Sequence, residues 1–229
     1  MVGLWVVAGL FLLAGCGRSR QVKSDLPGGD REFDRYSRMA RAAFDNGQVP
    51  QAIEGYKKAL ARAYVTDDID GIVDTGYNLA VSHLRQGDDA AALENVEKVQ
   101  GELLVAGRDV PADLLLVQAA ALYHTGDPER AWQISEDILT MAPTSATPAR
   151  THFLRGLLAA DRGDPEQLRR EITALGEPTL PGLKADRLEL TGRLAMLDGR
   201  WDDAVAALDQ AARMRAENRN YRSMATALA

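Results

Sequence analysis

The side chains able to do chemistry are few and far apart. The three histidines, His83, His124 and His152, have no partner in an HExxH pattern, none at i, i+4, and no cysteine at ligand spacing. No metal site is expected, and His83 reads as a partly buried packing residue. The acidic runs are Asp67-Asp68 with Asp70, Asp88-Asp89 and Asp202-Asp203. The last two follow turn glycines, where a carboxylate meets the free N–H groups and positive end of a helix, so capping accounts for them. The stretch over 67–71 lacks the rest of a twelve-residue calcium loop. There is no G-x-S-x-G elbow, phosphate-binding loop or G-x-G-x-x-G turn. Neither catalysis nor a cofactor is expected. The net charge of −6 and pI near 5.2 argue against nucleic acid as a partner. A single cysteine, Cys16, rules out a disulfide within the chain.

What such residues could do depends on the elements that carry them, and these repeat. Over residues 112–143, Leu115, Leu116, Ala119, Leu122 and Tyr123 recur at i, i+1, i+4, i+7, i+8, the stripe of an amphipathic helix. Gly126 can end that helix in a left-handed conformation, Asp127 can cap the next, and Pro128 fits its first turn. Ala131, Trp132, Ile134, Ser135, Ile138 and Leu139 then face back. Such a short hairpin cannot bury its own apolar faces and needs neighbours of the same kind.

Glycines in like settings recur at Gly47, Gly87, Gly126, Gly163 and Gly199, spaced 40, 39, 37 and 36 residues apart. Seven residues before each stands a small residue: Ala40, Ala80, Ala119, Gly156, Gly192. Five after stand Ala52, Ala92, Ala131, Leu168 and Ala204. Small residues at those points let two helices cross closely. Period and pattern resemble the tetratricopeptide repeat. The chain therefore reads as all-α, a right-handed solenoid of about five such hairpins over residues 31–229. A short C-terminal capping helix (Tyr221 to Leu228) is expected after a break at Asn218-Arg219-Asn220. The fourth unit, with Arg155 where a Leu usually sits and Leu168 in place of Ala, is expected to pack loosely or shift register.

The resemblance also implies a binding face, since the first helices of such repeats line a concave groove for peptides or helices of other proteins. Carried over by position, the groove residues are Arg38, Arg41, Tyr77, Asn78, Val81, Arg85, Leu116, Tyr123, His124, Phe153 and Arg193. The carboxylate-clamping subtype is not supported: Asn78 fits, but Ser37, Arg41, Asp113 and Val117 do not.

At the N-terminus, residues 4–14 form an eleven-residue apolar run, too short to span a bilayer and suited to a signal sequence. It leads into Leu13-Ala14-Gly15-Cys16, which resembles the lipobox of bacterial lipoproteins. Met1-Val2-Gly3 departs from that family in lacking basic residues. The resemblance implies a signal peptide over 1–15, lipid on Cys16, and a tether over 16–30 that is rich in polar residues and contains Pro27-Gly28-Gly29. Gly17 after the cysteine implies sorting to the outer membrane, facing the periplasm, with the outer leaflet of the inner membrane as the alternative. The expected function is a lipid-anchored scaffold that recruits protein partners in the assembly of an envelope complex. Pilotin-like and barrel-assembly lipoproteins are the analogues. The alternative is an accessory or regulatory factor for periplasmic cell-wall or polysaccharide enzymes.

Overall fold

The computed structural model describes residues 30–143 and 146–227, and for 218–227 the backbone alone. Cys16, the signal segment and the tether lie outside the described residues. Ten helices and no strand are present among the described residues: α1 (Arg31–Asp45), α2 (Val49–Val65), α3 (Ile69–Gln86), α4 (Asp89–Val105), α5 (Ala112–His124), α6 (Pro128–Thr140), α7 (Thr147–Asp161), α8 (Pro165–Leu175), α9 (Pro181–Leu197) and α10 (Trp201–Ala227). They form five antiparallel hairpins, each packed on the next.

The turn chemistry accounts for the helix ends. All five turn glycines have positive φ, from +67° at Gly163 to +86° at Gly126, a region costly for a residue with a Cβ. Asp88, Asp127 and Asp164 then accept from the third helical N–H beyond, and Asp30 and Asp68 cap α1 and α3 the same way. The acidic run over 67–71 is thus a cap and a turn.

The small positions do what close crossing demands. Ala40, Ala52, Ala80, Ala92, Ala119 and Ala131 are fully or almost fully buried. A Cβ added to Gly156 would fall 2.5 Å from Leu190, and one on Gly192 would fall 2.7 Å from Leu208. Helices α3, α5, α7 and α9 touch one another in succession, and no two even-numbered helices do so to a comparable extent. A layer with closer axes lies inside the curve, so the odd helices form the inner face.

Two expectations are corrected. The fourth unit is not loose: Phe153, Leu154, Leu157, Leu158 and Ala159 are at most 1% exposed, and Leu168 fills the alanine position at 0%. Arg155 replaces the expected leucine by lying over the Trp132 ring, 3.8 Å from its centroid, and pairing with Glu171. The separate capping helix is absent: α10 runs unbroken through 218–220. Asn and Arg carry only a modest helical penalty, which helix propagation overrides.

Candidate functional site

The inner face is built from side chains of α1, α3, α5, α7 and α9. Of the expected groove residues, Arg38 and Arg41 are exposed, and Tyr77, Asn78, Arg85, Tyr123, His124 and Arg193 are half-buried. Arg85 lies over the Phe44 ring, 4.7 Å from its centroid, and donates to the Phe44 carbonyl at 3.0 Å. Asn78 donates to the Asp74 carbonyl one turn earlier at 2.6 Å. His124 Nδ1 sits 2.7 Å from Asp89, joining the end of α5 to the start of α4.

Three of the expected positions offer a partner nothing. Val81 (5% exposed), Leu116 (4%) and Phe153 (1%) are core residues. The inner helices lie so close that apolar side chains in the middle of each are consumed by packing between units. Val81 joins the cluster around Val96 and Leu103, Leu116 that around Leu154 and Leu158, and Phe153 that around Leu157 and Leu190.

What remains is a polar network crossing four helices. The Tyr123 hydroxyl donates to Asp161 at 2.5 Å. Arg193 donates to Asp161 at 3.2 Å and, through Nε and Nη2, to Glu189 at 3.2 and 3.1 Å. Arg215 on α10 donates to Glu189 at 2.6 Å and to Asp186 at 2.9 Å. Burial pushes the Tyr123 hydroxyl up, and the Asp161 carboxylate pushes it further, so it stays a donor at any working pH. Burial raises Asp186 to about 6 against the pull of Arg215, with neighbouring Glu189 adding repulsion.

Sequence reasoning named Tyr123 and Arg193 but passed over Asp161, Glu189, Asp186 and Arg215. The first three stand at groove positions thirteen, five and two of their units, counting each turn glycine as fifteen. The same count puts Asp74, Asp113, Arg150 and Asp186 at position two of four successive units. Only Arg215, beyond the last glycine, carried no positional signal.

A second buried cluster lies between α7 and α8. Glu171 (3% exposed) accepts from Arg155 Nε at 2.8 Å and Gln167 Nε2 at 2.5 Å, and lies 2.7 Å from His152 Nδ1. Burial alone would raise its pKa; the hydrogen bonds from His152, Arg155 and Gln167, with the Arg155 charge, carry it below the ordinary value. An ionised carboxylate only accepts, so His152 Nδ1 carries the proton there. His83 is 8% exposed, with Nδ1 3.6 Å from Asp88, and burial lowers its pKa. No group of three His, Cys, Asp or Glu among the described residues is placed to hold a metal ion.

No protein-family model matches the chain, and no curated protein does. Solved structures do. TTC0263, a thermophilic tetratricopeptide-repeat protein of Thermus thermophilus, superposes with a TM-score of 0.61 at 21% identity, covering 86% of this chain and 100% of that one. The fold is a tetratricopeptide-repeat solenoid. BtubC of P. vanneervenii matches with a TM-score of 0.61 at 21% identity over 80% of each chain. A putative kinesin light chain of Podosopora anserina, with nearly identical repeats, matches at 0.59 and 15% identity over 84% of this chain and 100% of that one. At such identities the likeness is one of fold.

Proposed function

We propose that this chain is a protein-interaction scaffold, held at the periplasmic face of a bacterial outer membrane by lipid on Cys16, that serves the assembly of an envelope complex. The observation that supports it is the inner face. Tyr77 and Tyr123 offer half-buried rings, flanked by fixed charges from Asp161, Arg193 and Glu189 and by exposed arginines on α1. Rigid aromatics with oriented polar groups suit a peptide or helix laid along the groove. The motif over 13–16 supports the anchor, and no helix of the described residues is long and apolar enough to cross a membrane.

The test is a photo-reactive residue at Arg41 on the inner face, with the same probe at Glu94 on α4, in intact cells. A discrete protein captured only from Arg41 supports the groove; identical capture at both positions overturns it. Membrane fractionation of Cys16→Ala tests the anchor separately, and release into the soluble fraction is expected.

A further inference from the structure

Through the first four units the two edges of the solenoid differ in chemistry, whereas the fifth turn exposes Met196, Leu197 and Trp201. One edge carries the turns within hairpins, which through four units read Asp45-Asn46-Gly47-Gln48, Gln86-Gly87-Asp88, Thr125-Gly126-Asp127 and Arg162-Gly163-Asp164. The other carries the ends of α2, α4 and α6 and the start of α9, and it exposes large apolar side chains among charged ones such as Asp67, Arg108 and Asp109. Tyr64 is 41% exposed, Val65 73%, Leu104 81%, Val105 87%, Met141 47% and Leu180 44%. Large apolar side chains exposed at three successive helix ends are costly decoration without a partner. Tyr64 lies beside Glu102, so the ends of α2 and α4 are neighbours, and Thr147 bonds Asp113, joining the starts of α7 and α5 along the same edge.

This is also the edge where the N-terminal segment meets the solenoid. Asp30 caps α1 and pairs with Arg62 in the last turn of α2, close in the chain to Val65. Residues 17–29, thirteen in all, separate it from Cys16, a reach of at most about 45 Å. Three arginines of the edge are paired: Arg62 with Asp30 and Glu32, Arg108 with Asp70 at 2.6 Å, Arg187 with Glu177 at 2.8 Å. Around Val65, Leu104 and Val105 the nearby guanidinium charges of Arg62 and Arg108 are therefore already paired.

We infer that this edge, centred on Val65, Leu104 and Val105, rests on the lipid bilayer, turning a tethered solenoid into an oriented one. The inference deepens the anchored-scaffold reading and rests on it. The attraction is hydrophobic, so uncharged phosphatidylcholine suffices. Alone the patch is weak; the tether supplies it with a high effective concentration of membrane. The polar edge then faces away, and the inner groove lies side-on to the surface.

The test does not depend on natural lipidation. The mature chain is coupled through Cys16 to maleimide-headgroup lipid in phosphatidylcholine vesicles, with an environment-sensitive fluorescent amino acid at Thr66 or, on the polar edge, at Gln86. Emission at position 66 is expected to shift to the blue and to be quenched at least threefold more by nitroxide-labelled lipid than emission at 86. The double substitution Leu104→Asp, Val105→Asp should abolish the difference while circular dichroism stays unchanged. Equal quenching at both positions, or a difference that survives the double substitution, overturns the inference. Retention of Cys16→Ala in membranes would overturn the anchor reading instead, whatever the vesicles report.

Discussion

The cluster at Glu171 and the one at Asp186 and Glu189 bury acids to similar depths and treat them oppositely. Glu171 is one carboxylate with donors from His152, Arg155 and Gln167, and its pKa falls. Asp186 accepts from Arg215, which it shares with neighbouring Glu189 (itself also held by Arg193), and the pKa of Asp186 rises to about 6. Burial is common to both, so what decides the sign is the ratio of donors to acids. A saturated site is a structural rivet; an acid-rich site holds a proton it releases near neutral pH.

Substitutions can break this contrast, beginning with the largest effect. Glu171→Ala takes from Arg155, whose side chain is 11% exposed, its nearest carboxylate and leaves only half-exposed Glu136 at 3.8 Å, and should cost about 3–5 kcal/mol in urea denaturation. Recovery of most of that loss in the double variant Glu171→Leu, Arg155→Leu would show that the cost lies in the orphaned charge.

Arg215→Met leaves Asp186 without its arginine and beside Glu189, which keeps Arg193. A loss of about 2–4 kcal/mol is expected at pH 8, shrinking at pH 5, where Asp186 takes up a proton. A loss independent of pH would show that the acids do not share that arginine in solution.

The pH profiles should slope in opposite directions. Asp186 has a folded pKa above its unfolded value of 3.8, so its contribution is complete below about 4 and is lost as pH rises through about 6. Asp186→Asn should therefore gain on the parent protein by about 1–3 kcal/mol between pH 4 and 7.5. Glu171 has a folded pKa below its unfolded 4.5, so its contribution is present above that value and is lost as pH falls through the folded pKa. Glu171→Gln should lose its disadvantage in acid. Thermal unfolding across pH measures both.

The smallest effect is expected from His152→Leu, which removes one of three donors around Glu171 and should cost about 1 kcal/mol. A loss as large as that of Glu171→Ala would mean that the donors do not substitute for one another.

Helix ends were largely legible in the residues. The hairpin around Gly126 emerges as expected because glycine at positive φ, an Asp cap and a first-turn proline are local devices. The inner face was legible only in part. Counting positions from each glycine places residues on the right side of a helix, and so finds Tyr77, Tyr123 and Arg193. It cannot say whether a neighbouring helix covers them, which is why Val81, Leu116 and Phe153 proved to be core. Arg155 read as a defect for the same reason, its partners Glu171 and Trp132 lying on two other helices.

The sequence by itself determined the repeat, its register, the small residues at the crossings and the turns, since each depends on residues close in the chain. Only the tertiary structure decided which side chains reach solvent and which carboxylates share an arginine. Those depend on the spacing of α5, α7, α9 and α10, and Asp161, Arg193, Glu189 and Arg215 meet only once the stacked helices bring them together. The apolar edge belongs to the same class: Val65, Leu104 and Val105 are ordinary helix-end residues in the chain, and stacking alone brings the ends of α2 and α4 together.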